Sequence, residues 1–131
     1  MSTPKVVISI KEEFSPRGDD SSWSCLAVLP EKNMSLSFGD PAGPSQALLS
    51  GIPRIVAILN GRVRSSAPPE ALPSFSLYRV EVALHFASRD DNGQFKCIVV
   101  KGDYTAEGRP MPSIEASLNE AAELIEELKV F

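Results

Sequence analysis

Eleven prolines, most of them gathered in three clusters, restrict the folding of this chain more than any other feature. A proline cannot donate to a helix or sheet ladder. Asp40-Pro41-Ala42-Gly43-Pro44, Ala67-Pro68-Pro69 and Arg109-Pro110-Met111-Pro112 therefore mark connections between elements and cut the chain into four structured pieces. At 131 residues, 43% hydrophobic and 23% charged, one apolar core can hold the whole, since a domain commonly takes about 100 to 200 residues. Residues 1–131 are accordingly read as a single domain.

The first piece reads as three strands. Lys5-Val6-Val7-Ile8-Ser9-Ile10-Lys11 is rich in β-branched residues, and because Val6 and Val7 point oppositely it should be partly buried on both faces. Ser15 to Asp20 turns the chain. Trp23 to Leu29 forms a second strand, stopped by Pro30, with Trp23, Cys25, Ala27 and Leu29 on one face. Met34, Leu36 and Phe38 then alternate with Ser35 and Ser37, the period of two expected of a third strand.

The second piece predicts a helix from Ser45, placed as its N-cap, to about Asn60, with Gly61 as its stop. Leu48, Ile52, Ile55, Val56 and Leu59 form its core-facing stripe. Pro53 lies in its middle, where proline costs a helix about 3 kcal/mol, so the sequence predicts a kink or a restart capped by Ser50. After a loop from Arg62 to Pro73, the runs Phe75–Phe86 and Phe95–Val100 flank Asn92-Gly93, the signature of a type I′ hairpin. Folding about that dipeptide opposes Phe86 to Val99 and Ser88 to Cys97. Val82, Leu84, Phe86, Phe95, Cys97 and Val99 then share one face. The other, with Ala83, His85, Ala87, Ile98 and Val100, is greasier than a solvated sheet face and calls for a cover.

The fourth piece is a helix from about Ser113 to Leu128, with Ser113 as cap and Ile114, Leu118, Ala121, Ile125 and Leu128 as its stripe. No repeat of about 20 to 50 residues is evident. The expected fold is α+β: a mostly antiparallel sheet of about five strands, in the order βββ-α-ββ-α, with two helices packed on it.

The net charge of −4 arises in the last helix, where Glu115, Glu120, Glu123, Glu126 and Glu127 face only Lys129. The rest of the chain is balanced and carries no basic run, which disfavours direct nucleic-acid binding. No stretch approaches the ~18 apolar residues of a membrane span, and Met1-Ser2-Thr3-Pro4-Lys5 does not open a signal peptide. The expected location is cytoplasmic, where Cys25 and Cys97, each within an apolar run, are expected as buried free thiols; a disulfide between neighbouring strands is the alternative.

Chemistry-bearing constellations are missing from the sequence. His85 is the only histidine and has no triad partners, so a structural or surface role is expected for it. No CxxC or HxxxH spacing supports a metal site. Asp90-Asp91-Asn92-Gly93 lacks the alternating ligands of a calcium loop, and Arg17-Gly18-Asp19 reads as a turn. Neither a cofactor nor an enzymatic activity is expected. Two functional readings follow. In the first, the protein is a binding module for a protein partner or a second copy, using Glu120, Glu123 and Glu127 of the acidic helix and Ile98, Val100 and His85 of the second sheet face. In the alternative, a small-molecule-binding protein or small enzyme with a pocket between sheet and helices, Asp40, Gly43 and Ser45 would hold a ligand at a helix N-terminus, where backbone N–H groups attract anions.

From Ser45 to Asp103 the chain runs through a helix, a spacer, Phe75-Ser76-Leu77-Tyr78-Arg79-Val80-Glu81-Val82-Ala83-Leu84, a glycine turn and Phe95-Lys96-Cys97-Ile98-Val99-Val100-Lys101-Gly102. This stretch, under half of the chain, resembles the trypsin-co-occurring domains of bacterial conflict systems. The strands before Ser45 and the helix after Ser113 lie outside it. The resemblance implies an accessory or adaptor role beside an effector and carries over no catalytic residues.

Overall fold

The computed structural model describes residues 4–14, 21–61, 76–85 and 93–128. Arg17-Gly18-Asp19, Phe86, Asp90 to Asn92 and Lys129 lie outside them. Six strands form one antiparallel sheet: β1 (Val6–Phe14), β2 (Ser21–Leu29), β3 (Met34–Asp40), β4 (Tyr78–His85), β5 (Gln94–Lys101) and β6 (Tyr104–Glu107), in the order β3-β2-β1-β4-β5-β6. Helices α1 (Pro44–Leu59) and α2 (Ile114–Leu128) pack side by side on one face of it. The class is α+β as expected, with one more strand. β6 escapes a pattern search because Tyr104-Thr105-Ala106-Glu107 has a single inward apolar residue. It exists because Gly102, at φ +59°, allows a two-residue turn that folds the chain back on β5.

Alternation along each strand assigns its faces. Toward the helices point Val6, Ile8 and Ile10, Cys25, Ala27 and Leu29, Tyr78, Val80 and Val82, and Cys97 and Val99. All are buried, in one core with Leu48, Ile52 and Ile55 of α1 and Leu118, Ala121 and Ile125 of α2. β1 is central and is buried on both faces, as its β-branched run predicts: Val7 and Ser9, on the outer face, are nearly as dry as Val6 and Ile8.

The β4–β5 register differs from the one the Asn-Gly turn implies. Val80 opposes Val99 and Val82 opposes Cys97, so the connection from His85 to Gln94 is longer than a two-residue hairpin. The slip is by an even number of residues, so every side chain keeps its predicted face. Burial of Val80, Val82, Cys97 and Val99 against the helices sets the ladder, and a local turn preference of smaller energy gives way.

Helix α1 starts two residues earlier than expected. Gly43 is its N-cap and Pro44 its first residue, where a missing N–H costs nothing; Ser45 is inside the helix. The helix runs unbroken through Pro53. Ser50, expected to restart it, instead donates back to the Ala47 carbonyl at 2.7 Å. The expected stop holds: Gly61 has φ +73° and donates to Ile58 O. Ser113 caps α2, its hydroxyl accepting from the Ala116 N–H at 3.1 Å.

The topology contains an internal two-fold. Each half is three strands and a helix, and the sheet order reads outward as first, second and third strand from a centre between β1 and β4. The register repeats as well: Ile8 opposite Ala27 answers to Val80 opposite Val99, and Ile10 opposite Cys25 to Val82 opposite Cys97. On the helices, Ala47, Leu48, Gly51, Ile52, Ile55 and Ile58 have the same spacing as Ser117, Leu118, Ala121, Ala122, Ile125 and Leu128, and all twelve are buried. This repeating unit is longer than a 20 to 50 residue search detects, and few of its side chains are identical.

Candidate functional site

The proline-glycine loop delivers the chain from β3 to α1 in a fixed geometry. Asp40, at the end of β3, accepts from the Ala42 N–H through Oδ1 at 2.8 Å, an Asx turn. Gly43 and Pro44 are buried, and Ser45 follows in the first turn of α1 with its side chain directed at α2. Its hydroxyl donates to Glu126 Oε1 in a short hydrogen bond and lies 3.1 Å from Gln46 Oε1. A carboxylate of the chain itself therefore stands at the positive end of α1. An external anion held by Asp40, Gly43 and Ser45 would have to displace it and sit beside a second carboxylate, Asp40, already engaged in its turn.

Along the seam between the helices runs a groove of about 310 Å³, lined by Ser45, Gln46, Leu49, Asn119, Ala122, Glu123 and Glu126. Leu49 is 43% exposed and, with Tyr104, is one of two large apolar side chains exposed among the described residues. Glu123 and Glu126 make the groove acidic, and α2 contains no lysine or arginine. The missing positive charge at the C-terminus of α2 comes from the sheet. Lys101 on β5 donates through Nζ to the Leu128 carbonyl at 3.0 Å, its ammonium 5.5 Å from the Tyr78 ring centroid. Burial, and then the nearby Glu126, push the Tyr78 phenol above its ordinary pKa.

The residues expected to form one partner surface divide between opposite faces of the sheet. Glu123 lines the groove, and Glu127 is exposed in the last turn of α2. Ile98, Val100 and His85 are half-buried on the outer face, His85 opposite Gln94. Glu120 is buried: its carboxylate receives Arg109 Nη2 at 2.8 Å and Nε at 3.3 Å, and this pairing raises the pKa of the guanidinium. Gly108 makes room for it, since a Cβ there would come within 2.9 Å of Glu120 Cγ and 2.4 Å of Cys97 Sγ.

Cys25 and Cys97 are buried free thiols on different parts of the sheet, separated by β1 and β4. Cys97 faces the buried Ser117 hydroxyl. That contact is a weak one, for Ser117 Oγ has no hydrogen-bond partner of ordinary geometry. Among the described residues no three His, Cys, Asp or Glu side chains are grouped to hold a metal ion, and no helix is long and apolar enough to cross a membrane. Sequence reasoning passed over Leu49 and the Ser45–Glu126 contact. An apolar residue one position off the core stripe was the available signal for Leu49. No family model matches the chain, and no curated protein or solved structure matches it either.

Proposed function

We propose that this chain is a protein-binding module, an accessory, inhibitor or adaptor of the cytoplasm, and that the groove between α1 and α2 takes a basic amphipathic segment of its partner. Leu49 carries this reading. A leucine left in water beside a concave seam, floored by Ala122 and rimmed by Glu123 and Glu126, matches the anchor-and-rim anatomy by which one apolar side chain supplies affinity and surrounding charge supplies selectivity. Glu126 and Glu127 oppose the dipole of α2 at its C-terminal end, and a cationic partner would relieve that repulsion. An accessory role beside an effector is what the resemblance to trypsin-co-occurring domains implies. A ligand pocket between sheet and helices is less well supported, because Ile8, Ile10, Leu48, Ile55, Leu118 and Ile125 are fully buried at the centre of that layer, and the hollow of about 310 Å³ at its edge is lined largely by apolar Val56, Leu59, Phe95 and Ile114.

Titration of the isotope-labelled protein with a lysine-leucine amphipathic peptide tests the proposal. Amide shifts are expected to concentrate at Gln46, Leu49, Ala122 and Glu123 and to weaken as salt screens the rim. Leu49→Lys should raise the dissociation constant by about tenfold or more. Equal binding of a glutamate-leucine peptide, or shifts confined to other surfaces, would refute the groove.

A further inference from the structure

On the strength of the groove between α1 and α2 as a partner's seat, we infer that the segment it takes is a helix of about four turns lying along the whole seam, with cations over the Glu126 end and one bulky apolar side chain in the hollow at the other end. The two helices run antiparallel. Ser45 and Gln46 of α1 meet Glu126 of α2 at one end of the seam, and Val56 and Leu59 meet Ile114 and Glu115 at the other, where Phe95 of β5 helps to line the hollow of about 310 Å³. Leu49 and Val56 lie two turns apart on one flank of α1. Glu115, Asn119, Ala122 and Glu126 follow one another along the facing flank of α2 at helical spacing. From Gln46 to Asn60 the line spans about 21 Å, at about 1.5 Å per residue.

The internal two-fold makes the two ends images of each other, and their side chains make them unlike. Val56 answers to Glu126, Glu115 to Ser45, Phe95 to Trp23 and Val6 to Tyr78. At the Trp23 end the Ser45 hydroxyl donates to Glu126 and ties the helices together, and the Trp23 and Tyr78 ring centroids are 6.2 Å apart. At the Phe95 end Val56 offers Glu115 no polar atom, so no counterpart of the Ser45–Glu126 bond can form, and Val6 stands in the place of the larger tyrosine. Charge divides in the same way. Glu123, Glu126 and Glu127 stand toward the Trp23 end, and Glu115 alone at the Phe95 end, where the positive pole of α2 offsets it. Cations therefore gain at one end only, and an apolar anchor gains at the other. Because the backbone of each helix is bonded within itself, the seam offers an extended strand no ladder to join. A helix reaches all three points from one face, with a cation at i over Glu123 and Glu126, a leucine at i+4 on Leu49 and the anchor at i+11 beside Val56.

Titration of the isotope-labelled full chain with two alanine-based peptides of the same composition tests this. In the first, a tryptophan lies about eleven residues from a lysine pair with a leucine between them; in the second, it lies about four residues from that pair. The first peptide should bind about tenfold or more tightly than the second, and should shift amides at Val56, Leu59 and Ile114 as well as at Leu49. Val56→Gln, which places a polar but uncharged helix former in the hollow, should bring the two affinities within about twofold of each other. Should that variant loosen the fold, Val56→Thr keeps the shape of the side chain and should narrow the difference in the same direction. Equal binding of the two peptides, with shifts at Leu49 and none at Val56, Leu59 or Ile114, overturns the inference and leaves the groove as a seat. Absence of shifts at Leu49 with either peptide overturns both.

Discussion

Cys25 and Cys97 sit at corresponding points of the two halves, each beneath a helix, and burial acts on both. It pushes the Cys25 thiol from an ordinary 9.0 up to about 12. Cys97 rises chiefly by burial too, with the Glu120 carboxylate adding to the shift and the Ser117 hydroxyl and Gly108 backbone opposing it. An unfolded chain releases these protons near pH 9 and the folded one retains them, so above that pH the unfolded state binds fewer protons. Stability is therefore full below about pH 9 and falls above it, the Cys25 contribution declining toward about pH 12 by up to about 1.4 kcal/mol per pH unit. Urea midpoints measured across this range should drop, and Cys25→Ala should flatten part of the slope; an identical slope in the variant would contradict the assignment. Burial of both cysteines was legible because each lies in an apolar strand. The burial of Glu120 was not, since it depends on Gly108 lying across from it, a contact that no local pattern reports. Leu49 was equally hidden, because the flank of a helix is exposed or covered according to where its neighbour lies.

Whole elements were more legible than their joints. All three strands of the first piece, both helices and both faces of the β4–β5 pair follow from periodicity, because period fixes which way a side chain points whatever the register. Boundaries and seating follow from long-range packing, and there the reading of α1 fails: neither Ser45 nor Ser50 acts as a cap. Gly51 shows what governs the helix instead. A Cβ on it would lie 2.3 to 2.4 Å from three atoms of the Phe38 ring, so α1 approaches β3 more closely than any other residue at that position allows. Gly51→Ala should destabilise the fold by about 1 to 3 kcal/mol through overpacking. In a Phe38→Leu background the clash is relieved, and the same change should turn stabilising by up to about 1 kcal/mol as helix propensity takes over. Denaturant titration of the four proteins as a double-mutant cycle reads this reversal of sign. If Gly51→Ala destabilised both backgrounds equally, the close approach would not be the reason for glycine.

At the scale of the whole molecule, the internal two-fold makes a demand that sequence patterns could not have raised. If the halves are equivalent, then the chain order of the halves should be immaterial, because β1 and β4 meet antiparallel at the centre and each is fed from outside by its own strands and helix. Joining the C-terminus to the N-terminus with a linker no shorter than 60–77, which joins α1 to β4, and opening the chain between Gly61 and Ser76 gives the order β4-β5-β6-α2-β1-β2-β3-α1. Every strand pair and both helix seats survive this permutation, and its one new connection runs where the existing one has its image. The permutant should unfold cooperatively within about 5 °C of the parent, the shift that about 1 kcal/mol produces in a domain of this size. Loss of a cooperative transition would mean that α1 must seat on β3 before β4 can find β1, and that the two halves, alike in topology, are unequal in folding.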